Sequence, residues 1–544
     1  MEDEFVPFQN GPQIYDHRGE LVWSGSPMFE YRNVFDFRMG EVNGSRVLTA
    51  IVDAARLPQS NYSTRQTGFI IDDRYQVAQQ LDLAGAYNMH ELNSVGGNRI
   101  IIATDGFSIV NLSNVGLPDR TAGVKAGGFR EWDAATGKDV FQWQVIDHIP
   151  VTDSMMEMPD ESYRSWDAFH LNSVTKDARG DYLVSLRHTS TVYKISGGDG
   201  SIIWRLGGKF SDFQQDFNFS GQHHARIVAE DDNGMTITLF NNAADDRGVQ
   251  ANTANTSSMQ VIKVYDREEP RRAELLAHYL RPDGELTKKR GSAQMLDNGN
   301  AFICWSASGY ITEHTPDGRV ILEANFLTDR FDSYRAYHFT DWVGRPAEPP
   351  ALISYAHRGG SQKPLPSTVL YVSWNGATEV ASWTFYGASS IGDGGDSFHR
   401  LGSVSKLSFE SSMAVDGYWP YTYAEAYDAR GNLLGTSEVR ETVLPEQAGG
   451  QIDRDDGHRD QYLSASASVS LGTLTLQASK PVANLATFVA LLCIFYTAIS
   501  LSVRVWSRWR RWSCCYPYRG QQGQEKTFSE DEADALFTAP RHSF

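Results

Sequence analysis

The stretch that decides the fold is 89–102, MHELNSVGGNRIII, in which a histidine precedes a glycine turn and an apolar strand. The same order recurs at 169–184, FHLNSVTKDARGDYLV, and at 222–237, QHHARIVAEDDNGMTI. The equivalent position in these three stretches is occupied by His90, His170 and His223. In a fourth copy of the pattern it is occupied by Gln294. Equivalent positions of radial repeats point at one axis, so we expect the three distant histidines to share one pocket.

A second repeat consists of a strand, an aspartate in a turn and a further strand that often ends on tryptophan. Its aspartates lie 51 to 67 residues apart: Asp16, Asp72, Asp133, Asp199, Asp266 and Asp317. Aspartate and glycine suit hairpin turns. Six copies at this spacing predict a six-bladed β-propeller of four-stranded blades with insertions. An array of β-sandwiches is the alternative architecture for the same pattern.

Composition narrows the class of protein. A chain of 544 residues is long enough for a large core and more than one domain. Plentiful aromatic residues and glycine, with short strand-like runs, predict an all-β fold. The net charge of −18 argues against nucleic acid as a partner, because phosphate backbones need basic patches. The four cysteines include no CxxC pair, so no pattern resembles a zinc site, and they form no disulfide framework. We expect no metal site and no cofactor.

The organisation changes near residue 350, where prolines cluster. We expect the propeller to span 1–350 and a small sandwich-like accessory β domain to span 351–443. Strands of that second domain are predicted at 368–373, 381–385 and 424–427. Residues 444–480 are rich in charge, glycine, serine and alanine and are typical of a stalk or linker.

A single transmembrane helix is predicted at 481–503, since these 23 residues contain no charge. At about 1.5 Å per residue the segment reaches roughly 34 Å, enough to cross a bilayer. Arginines and tryptophans follow it, so the positive-inside rule places the tail 504–544 in the cytoplasm and the rest in an extracellular or lumenal compartment. Five glycosylation sequons agree with export: Asn43, Asn61, Asn111, Asn218 and Asn255.

The acidic start of the chain lacks the apolar core of a signal peptide. Either residues are missing before Met1, or the segment 481–503 itself directs insertion. We favour the first interpretation, because 11–15 already reads as part of a folded strand.

Four motifs are concentrated between residues 166 and 226. They are H-x-N-S at 170–173, S-x-R-H at 185–188, W-x-x-G-G at 204–208 and Q-H-x-A at 222–225. In this order they resemble the arylsulfotransferase family, and specifically its fungal membrane-associated branch. The resemblance extends over roughly residues 11–443.

The resemblance implies a six-bladed propeller and a nucleotide-independent reaction. A sulfuryl group would move from a small-molecule aryl sulfate donor to a phenolic acceptor through a histidine. By their positions in the motifs, the expected site residues are His223 as nucleophile, with His90, His170, Asn172 and Arg187.

These residue types suit the chemistry. Neutral imidazole is a nucleophile near pH 7, and the fork of Arg187 fits two sulfuryl oxygens. Because His170 and Asn172 are two residues apart, both are expected to face the channel from one strand and to donate to the same group. His90 is expected to protonate the departing phenolate and later to deprotonate the acceptor. Asp167, by contrast, is interpreted as a turn residue.

One position departs from the family pattern. In the family that the chain resembles, the residue after the nucleophile is more usually acidic or small and polar. In this chain the residue after His223 is His224. The alternative function is therefore a catalytically silent, membrane-anchored propeller that acts as a binding module. The joint presence of the five site residues favours the enzyme.

Overall fold

The computed structural model describes residues 10–53, 66–81, 87–113, 116, 120–158, 165–244, 253–328, 331–357, 366–392 and 398–444. Within these ranges the chain is almost entirely β-sheet, which confirms the all-β prediction. Helix is confined there to short pieces such as α1 (Val145–His148) and the 3₁₀ turns Val151–Asp153, Arg187–Thr189 and Ala307–Gly309.

The first strands form a small hairpin, and the next eight form two larger sheets. The hairpin pairs β1 (Gln13–Tyr15) with β2 (Leu21–Ser24). Sheet 1 contains β3 (Val34–Val42), β4 (Ser45–Val52), β5 (Thr67–Ile71) and β6 (Val77–Leu81). Sheet 2 begins with β7 (Tyr87–Ser94) and β8 (Arg99–Thr104), and an inserted hairpin follows, β9 (Phe107–Asn111) and β10 (Thr121–Lys125). It is completed by β11 (Gly128–Asp133) and β12 (Lys138–Gln144).

Three further four-stranded antiparallel sheets follow in chain order. Sheet 3 contains β13 (Leu171–Lys176), β14 (Tyr182–Leu186), β15 (Thr191–Ile195) and β16 (Ile202–Gly207). Sheet 4 contains β17 (His223–Asp231), β18 (Gly234–Asn241), β19 (Ser258–Tyr265) and β20 (Arg272–Leu280). Sheet 5 contains β21 (Ser292–Met295), β22 (Ala301–Cys304), β23 (Ile311–His314) and β24 (Val320–Ala324).

The six aspartate turns lie where the sequence places them. In four of the five sheets the aspartate lies between the third and fourth strands, in sheet 2 Asp133 is the last residue of the third strand, and Asp16 lies between β1 and β2. Asp72 shows why this residue is suited to the turn, since its Oδ1 accepts from the backbone N–H groups of Arg74 and Gln76. Among the described residues the sixth copy is only two strands, so the sixth four-stranded sheet of the prediction is not found there.

Neighbouring sheets pack face to face in chain order. One apolar core joins sheets 2 and 3, with Ile101 and Phe129 against Val174 and Tyr193. Further cores join sheets 1 and 2, sheets 3 and 4, and sheets 4 and 5. The first strands β3, β7, β13, β17 and β21 also contact one another in that order. The histidine register therefore lies on or next to the first strands of neighbouring sheets, which contact one another.

The last described strands form two sheets around a separate core. One sheet contains β25 (Ala351–His357), β26 (Ser367–Ser373) and β29 (Glu410–Asp416). The other contains β27 (Ser382–Ala388), β28 (His399–Ser405), β30 (Tyr421–Tyr427), β31 (Leu433–Thr436) and β32 (Arg440–Glu441). Leu352 and Leu370 of the first sheet share this core with Trp383 and Phe385 of the second. The three strands predicted here are all present.

Within the ranges that the structure describes, no helix combines the length and the apolar character that crossing a membrane requires. The predicted segment 481–503, the tail 504–544 and the stalk beyond residue 444 lie outside the described residues. The sequon asparagines Asn43, Asn111, Asn218 and Asn255 are exposed, and Asn61 is not among the described residues.

Candidate active site

His223 begins β17 and is completely buried. Its Nδ1 lies 2.8 Å from Oδ1 of Asn242 and 3.1 Å from the carbonyl of Gly221. The amide nitrogen of Asn242 donates to the carbonyls of Thr287 and Arg290, at 2.8 and 3.0 Å, which fixes its oxygen toward the ring. Both neighbours of Nδ1 are acceptors, so Nδ1 carries the proton and the lone pair lies on Nε2.

Asn172 braces the backbone on both sides of this histidine. Its Nδ2 donates to the carbonyl of Gln222 at 2.9 Å, and its Oδ1 accepts from the N–H of His224 at 3.3 Å. Gln222 is itself fixed, because its side-chain nitrogen donates to three oxygens of sheet 3. In the structure Asn172 therefore holds the backbone around His223, whereas the sequence predicts it as a donor to the transferred group.

Arg187 lies in the 3₁₀ turn that follows β14, and its side chain is fully buried. Its backbone N–H donates to the carbonyl of His170 at 3.0 Å. Its Nη2 donates to the carbonyl of Lys288 at 2.9 Å. Asn242 donates to residues on either side of Lys288, so Arg187 and His223 are tied to the same loop before β21.

His170, Asp167 and His188 form a compact group. Nδ1 of His170 lies 2.6 Å from Oδ2 of Asp167, and the rings of the two histidines are centred 4.6 Å apart. Burial alone would raise the pKa of Asp167, but the two adjacent histidines hold this pKa well below its usual range. Burial also lowers the pKa of His188, which favours the neutral ring.

The same three residues have the composition of a metal site, with ligand atoms within 4.8 Å of one another. Nδ1 of His188, however, lies 2.7 Å from the backbone carbonyl of Asp167. A carbonyl oxygen only accepts, so this Nδ1 carries the proton and Nε2 is the one atom of the His188 ring that could bind a metal ion.

His90 faces His170 across sheets 2 and 3, with ring centres 4.8 Å apart. Nδ1 of His90 contacts Oδ1 of Asn88, whose amide nitrogen donates to Asp105 at 2.6 Å. The asparagine oxygen is therefore the acceptor, and the lone pair of neutral His90 lies on Nε2. His90, His170 and His223 thus share one arrangement, in which an oxygen holds Nδ1.

A buried ionic network lies beside these residues and was not anticipated from the sequence. Oδ1 of Asp36 accepts from Arg335 at 2.7 Å, and Oδ2 pairs with Arg38. Glu91 contacts Arg38 and, at 2.9 Å, Arg226. Burial opposes ionisation of Asp36, but Arg38 and Arg335 hold its pKa well below the usual range. Three guanidinium groups thus surround two carboxylates.

The network reaches the site through Arg335 and His224. Arg335 donates to the carbonyl of Asn172 at 2.6 Å. Nδ1 of His224 lies 3.0 Å from the carbonyl of Ala293, and its Nε2 lies 3.2 Å from the hydroxyl of Tyr337. Burial, followed by the nearby arginines, holds the pKa of His224 well below its usual value. His224 is therefore a neutral ring that points to sheet 5, away from Asn242.

A cavity of about 280 Å³ opens next to His90 and His170. His223, Asn172 and Arg187 do not line it. All five predicted residues therefore lie in or next to strands of sheets 2, 3 and 4, yet only His90 and His170 border this space.

Two expectations need correction. Asp167 is a buried partner of two histidines and not a simple turn residue. His170 precedes β13 with a positive φ of 55°, so His170 and Asn172 are not alternate positions of one regular strand. Sequence reasoning missed Asn242 and Arg335 because both lie outside the four motifs. For Asp167, its place three residues before the first residue of the H-x-N-S motif was the available signal.

Comparison with known proteins gives one family match. Residues 66–327 match the model of the family described as arylsulfotransferase (ASST). Comparison with curated proteins gives no match. Among solved structures, the chain is similar to a protein of unknown function from Bacteroides caccae, with a TM-score of 0.34, 12% identity, and coverage of 60% of this chain and 93% of that one.

It is also similar to the GH43 protein BlXynB from Bacillus licheniformis, with a TM-score of 0.27, 10% identity, and coverage of 74% of this chain and 89% of that one. Similarities this low say nothing further about fold or chemistry. The family match, in contrast, covers the buried histidines and their partners on sheets 2 to 4. Residues 66–327 are therefore similar to the arylsulfotransferase family.

Proposed function

We propose that the protein transfers a sulfuryl group from a phenolic sulfate ester to a phenolic acceptor, without a nucleotide donor, through a sulfohistidine at His223. The observation that carries the proposal is the contact between Nδ1 of His223 and Asn242. In the neutral ring this contact places the proton on Nδ1 and the lone pair on Nε2, which is the tautomer that a nucleophile at Nε2 requires. The family match over 66–327 supports the same reaction class.

In the first half-reaction, Nε2 of His223 attacks sulfur and forms an S–N bond. The S–O bond to the aryl oxygen breaks, and its electron pair leaves with the phenolate. Arg187, whose planar fork suits two oxygens, stabilises charge on the sulfuryl group. Protonated His90 gives its proton to the phenolate and becomes neutral.

In the second half-reaction, neutral His90 takes the proton of the acceptor phenol at Nε2. The phenolate oxygen then attacks sulfur, the S–N bond breaks, and its electron pair returns to His223. His170, when protonated, donates from Nε2 to a sulfuryl oxygen while Asp167 holds its Nδ1. Asn172 and Asn242 act as positioning residues. Two displacements at one nucleophile predict ping-pong kinetics.

Intact mass after exposure to 4-nitrophenyl sulfate alone tests the intermediate. We expect an added mass of about 80 Da, one SO₃ group, on the wild-type protein. His223→Ala should lose both the adduct and turnover. His314→Gln, a change at another buried histidine, should retain both. An adduct that persists in His223→Ala would mean that a residue other than His223 carries the sulfuryl group. Absence of turnover in the wild type would favour the catalytically silent binding module.

For the architecture, we propose that the five sheets and the β1–β2 hairpin are blades of a six-bladed propeller within residues 1–350. Face-to-face packing in chain order and the six aspartate turns support this. Residues 351–443 would form the accessory domain and 444–480 a stalk. An experimental structure in which sheets 1 and 5 do not close around a common axis would refute the propeller.

We also propose single-pass attachment to a membrane by 481–503, as in the fungal membrane-associated branch, with 504–544 in the cytoplasm. The absence of charge in the segment and the arginines after it support this topology. A tag at the C-terminus should be digested from the cytoplasmic side only. The exposed sequons at Asn43, Asn111, Asn218 and Asn255 are available to carry glycans in a secretory compartment. Digestion of the tag from the outer or lumenal side would reverse the topology.

A further inference from the structure

The side chains that would carry and hold the sulfuryl group are closed off from solvent. His223, Arg187 and Asn242 are each 0% exposed, and none of them lines the cavity beside His90 and His170. A sulfate ester cannot touch a side chain that has no exposed surface. A neighbouring element therefore has to move before the proposed transfer can begin.

The loop between β20 and β21 contacts these side chains through its backbone. Nη2 of Arg187 donates to the carbonyl of Lys288 at 2.9 Å. Asn242, the partner of the nucleophile, donates to the carbonyl of Arg290 at 3.0 Å. The side chain of Lys288, in contrast, is exposed. Residues 288–290, here called the strap, thus have the buried site on one side and solvent on the other.

The strap is anchored at both ends. Thr287, just before it, is 3% exposed, and its N–H donates to Oγ of Ser257 at 2.7 Å. Just after it, the N–H of Gly291 donates to the carbonyl of Tyr334 at 3.3 Å. Between these anchors the two hydrogen bonds from the site hold the strap inward. A short segment of this kind can open locally while the sheets on either side stay folded.

The backbone is strained where the strap ends. Arg290 has a φ of 60°, a region that residues with a Cβ rarely adopt. Gly291 follows with a φ of 102°, and a Cβ added to it would lie 2.7 Å from the ring of Phe240. Strained backbone persists only while the surrounding contacts hold it. Exchange of one of these contacts would therefore favour opening.

We propose that the sulfate group of the donor displaces the strap: a sulfate oxygen replaces the Lys288 carbonyl as acceptor for Arg187, and the released strap uncovers His223. The inference rests on the proposed sulfuryl transfer and adds how the donor reaches its site. Lys288, Lys289 and Arg290 give the strap three consecutive positive charges, which favour the approach of an anion over that of a neutral phenol. No covalent bond changes in this step, because one hydrogen-bond acceptor replaces another.

The strap contains its own reporters, because trypsin cleaves after lysine and arginine. Cleavage of the full chain after Lys288, Lys289 and Arg290, followed by mass spectrometry, measures the open population. Sodium sulfate should accelerate it about two- to tenfold over sodium chloride at equal ionic strength, the scale of one exchanged hydrogen bond. Because sulfate generally stabilises folded proteins, this acceleration is opposite to its nonspecific effect. Cleavage after Arg430, in an exposed turn, should not accelerate.

Variants test what holds the strap. Arg187→Met should be cleaved rapidly without sulfate and should not respond to it, because the bond to Lys288 is lost. Gly291→Ala leaves the site side chains intact, and its contact with Phe240 should loosen the strap and raise cleavage. Gly284→Ala is the matched control, since Gly284 lies in the same loop at a φ of 75° but nothing lies within 4 Å of the added Cβ. It should keep wild-type cleavage of the strap.

The strap is refuted if sulfate does not accelerate its cleavage, if phenol accelerates it equally, or if Gly284→Ala raises it as much as Gly291→Ala. It is also refuted if Arg187→Met, shown to be folded by circular dichroism, is cleaved at the wild-type rate. Opening by sulfate without any sulfuryl adduct from 4-nitrophenyl sulfate would refute the transferase reaction and leave the strap standing. An adduct that forms in a protein whose strap ignores sulfate would do the reverse.

Discussion

At the scale of single residues, the candidate site is a set of histidines whose Nδ1 atoms are held by oxygens. For His223 the holder is Asn242, an uncharged acceptor that fixes the tautomer without favouring the imidazolium as a carboxylate would. For His170 the holder is Asp167, which suits a ring that acts as a cation. In the proposed reaction, the two different acceptors at Nδ1 would distinguish the nucleophile His223 from the hydrogen-bond donor His170.

Asn242→Ala should lower kcat by roughly two orders of magnitude with little change in KM, the scale of losing an orienting partner. The ring of His223 would be free to adopt the other tautomer. Steady-state kinetics across pH is the measurement. Asn241→Ala is the control, because Asn241 is also buried but accepts from Ser220 and Ala243 instead. Equal losses in the two variants would reduce Asn242 to a structural role.

The buried neutral rings of His188 and His224 predict a stability that depends on pH. Both have a folded-state pKa below the usual value of about 6.5. As the pH falls through about 6.5, the unfolded chain binds protons that the folded chain does not, so the free energy of unfolding decreases, by up to about 1.4 kcal/mol per pH unit for each ring. Above a pH of about 6.5, the two neutral rings make their full contribution to the free energy of unfolding.

Urea unfolding between pH 7.5 and 5 should show this loss. His224→Gln should flatten the slope, and His17→Gln, a change at an exposed histidine, should keep the wild-type slope. A slope unchanged in His224→Gln would mean that His224 is not neutral in the folded protein.

At the scale of strands, the sequence predicts the elements better than it predicts the directions of side chains. The aspartate turns and the strands after each glycine turn are present because their signals are local. The histidines lie where regular geometry is interrupted. His170 and His224 both have a positive φ, and the pairing of β17 with β18 shifts between His223 and Arg226. Alternation cannot predict directions through such interruptions.

The contact between β13 and β17 depends on Asn172, which bonds the backbone on both sides of His223. Asn172→Ala would leave a buried N–H and a buried carbonyl without this partner. The free energy of unfolding should fall by about 1–3 kcal/mol, and activity should fall too because His223 loses its brace. Denaturant unfolding and turnover measured together are the test. A stable variant with full activity would show that the brace is dispensable.

At the scale of the whole molecule, the ionic network connects elements that are far apart in the chain. Arg335 contacts Asp36 of sheet 1, Glu91 of sheet 2 and the backbone of Asn172 in sheet 3. Its partners come from separate repeats, and no repeat unit contains the complete network. The repeats therefore predict the sheets but not this centre, because pairing across them has no periodic signal.

Arg335→Leu should decrease the free energy of unfolding by about 3–5 kcal/mol, because it removes one of the two arginines that pair with the buried carboxylate of Asp36. Arg345→Ala is the matched control, since Arg345 also pairs with a distant aspartate, Asp73, but its side chain is 70% exposed. Arg345→Ala should decrease the free energy of unfolding by no more than about 1 kcal/mol. Denaturant unfolding checks both, and similar values for the two variants would mean that the central network is not a major source of stability.

The link between Asp36 and Arg335 also has a consequence for biosynthesis. The two residues are 299 positions apart, so Asp36 leaves the ribosome long before its partner exists. Until then, burial of sheet 1 would enclose a carboxylate with an incomplete set of cations. We therefore expect sheet 1, although it is synthesised first, to reach its final packing last. Until residue 335 has emerged from the ribosome, the nascent chain should be most prone to aggregation.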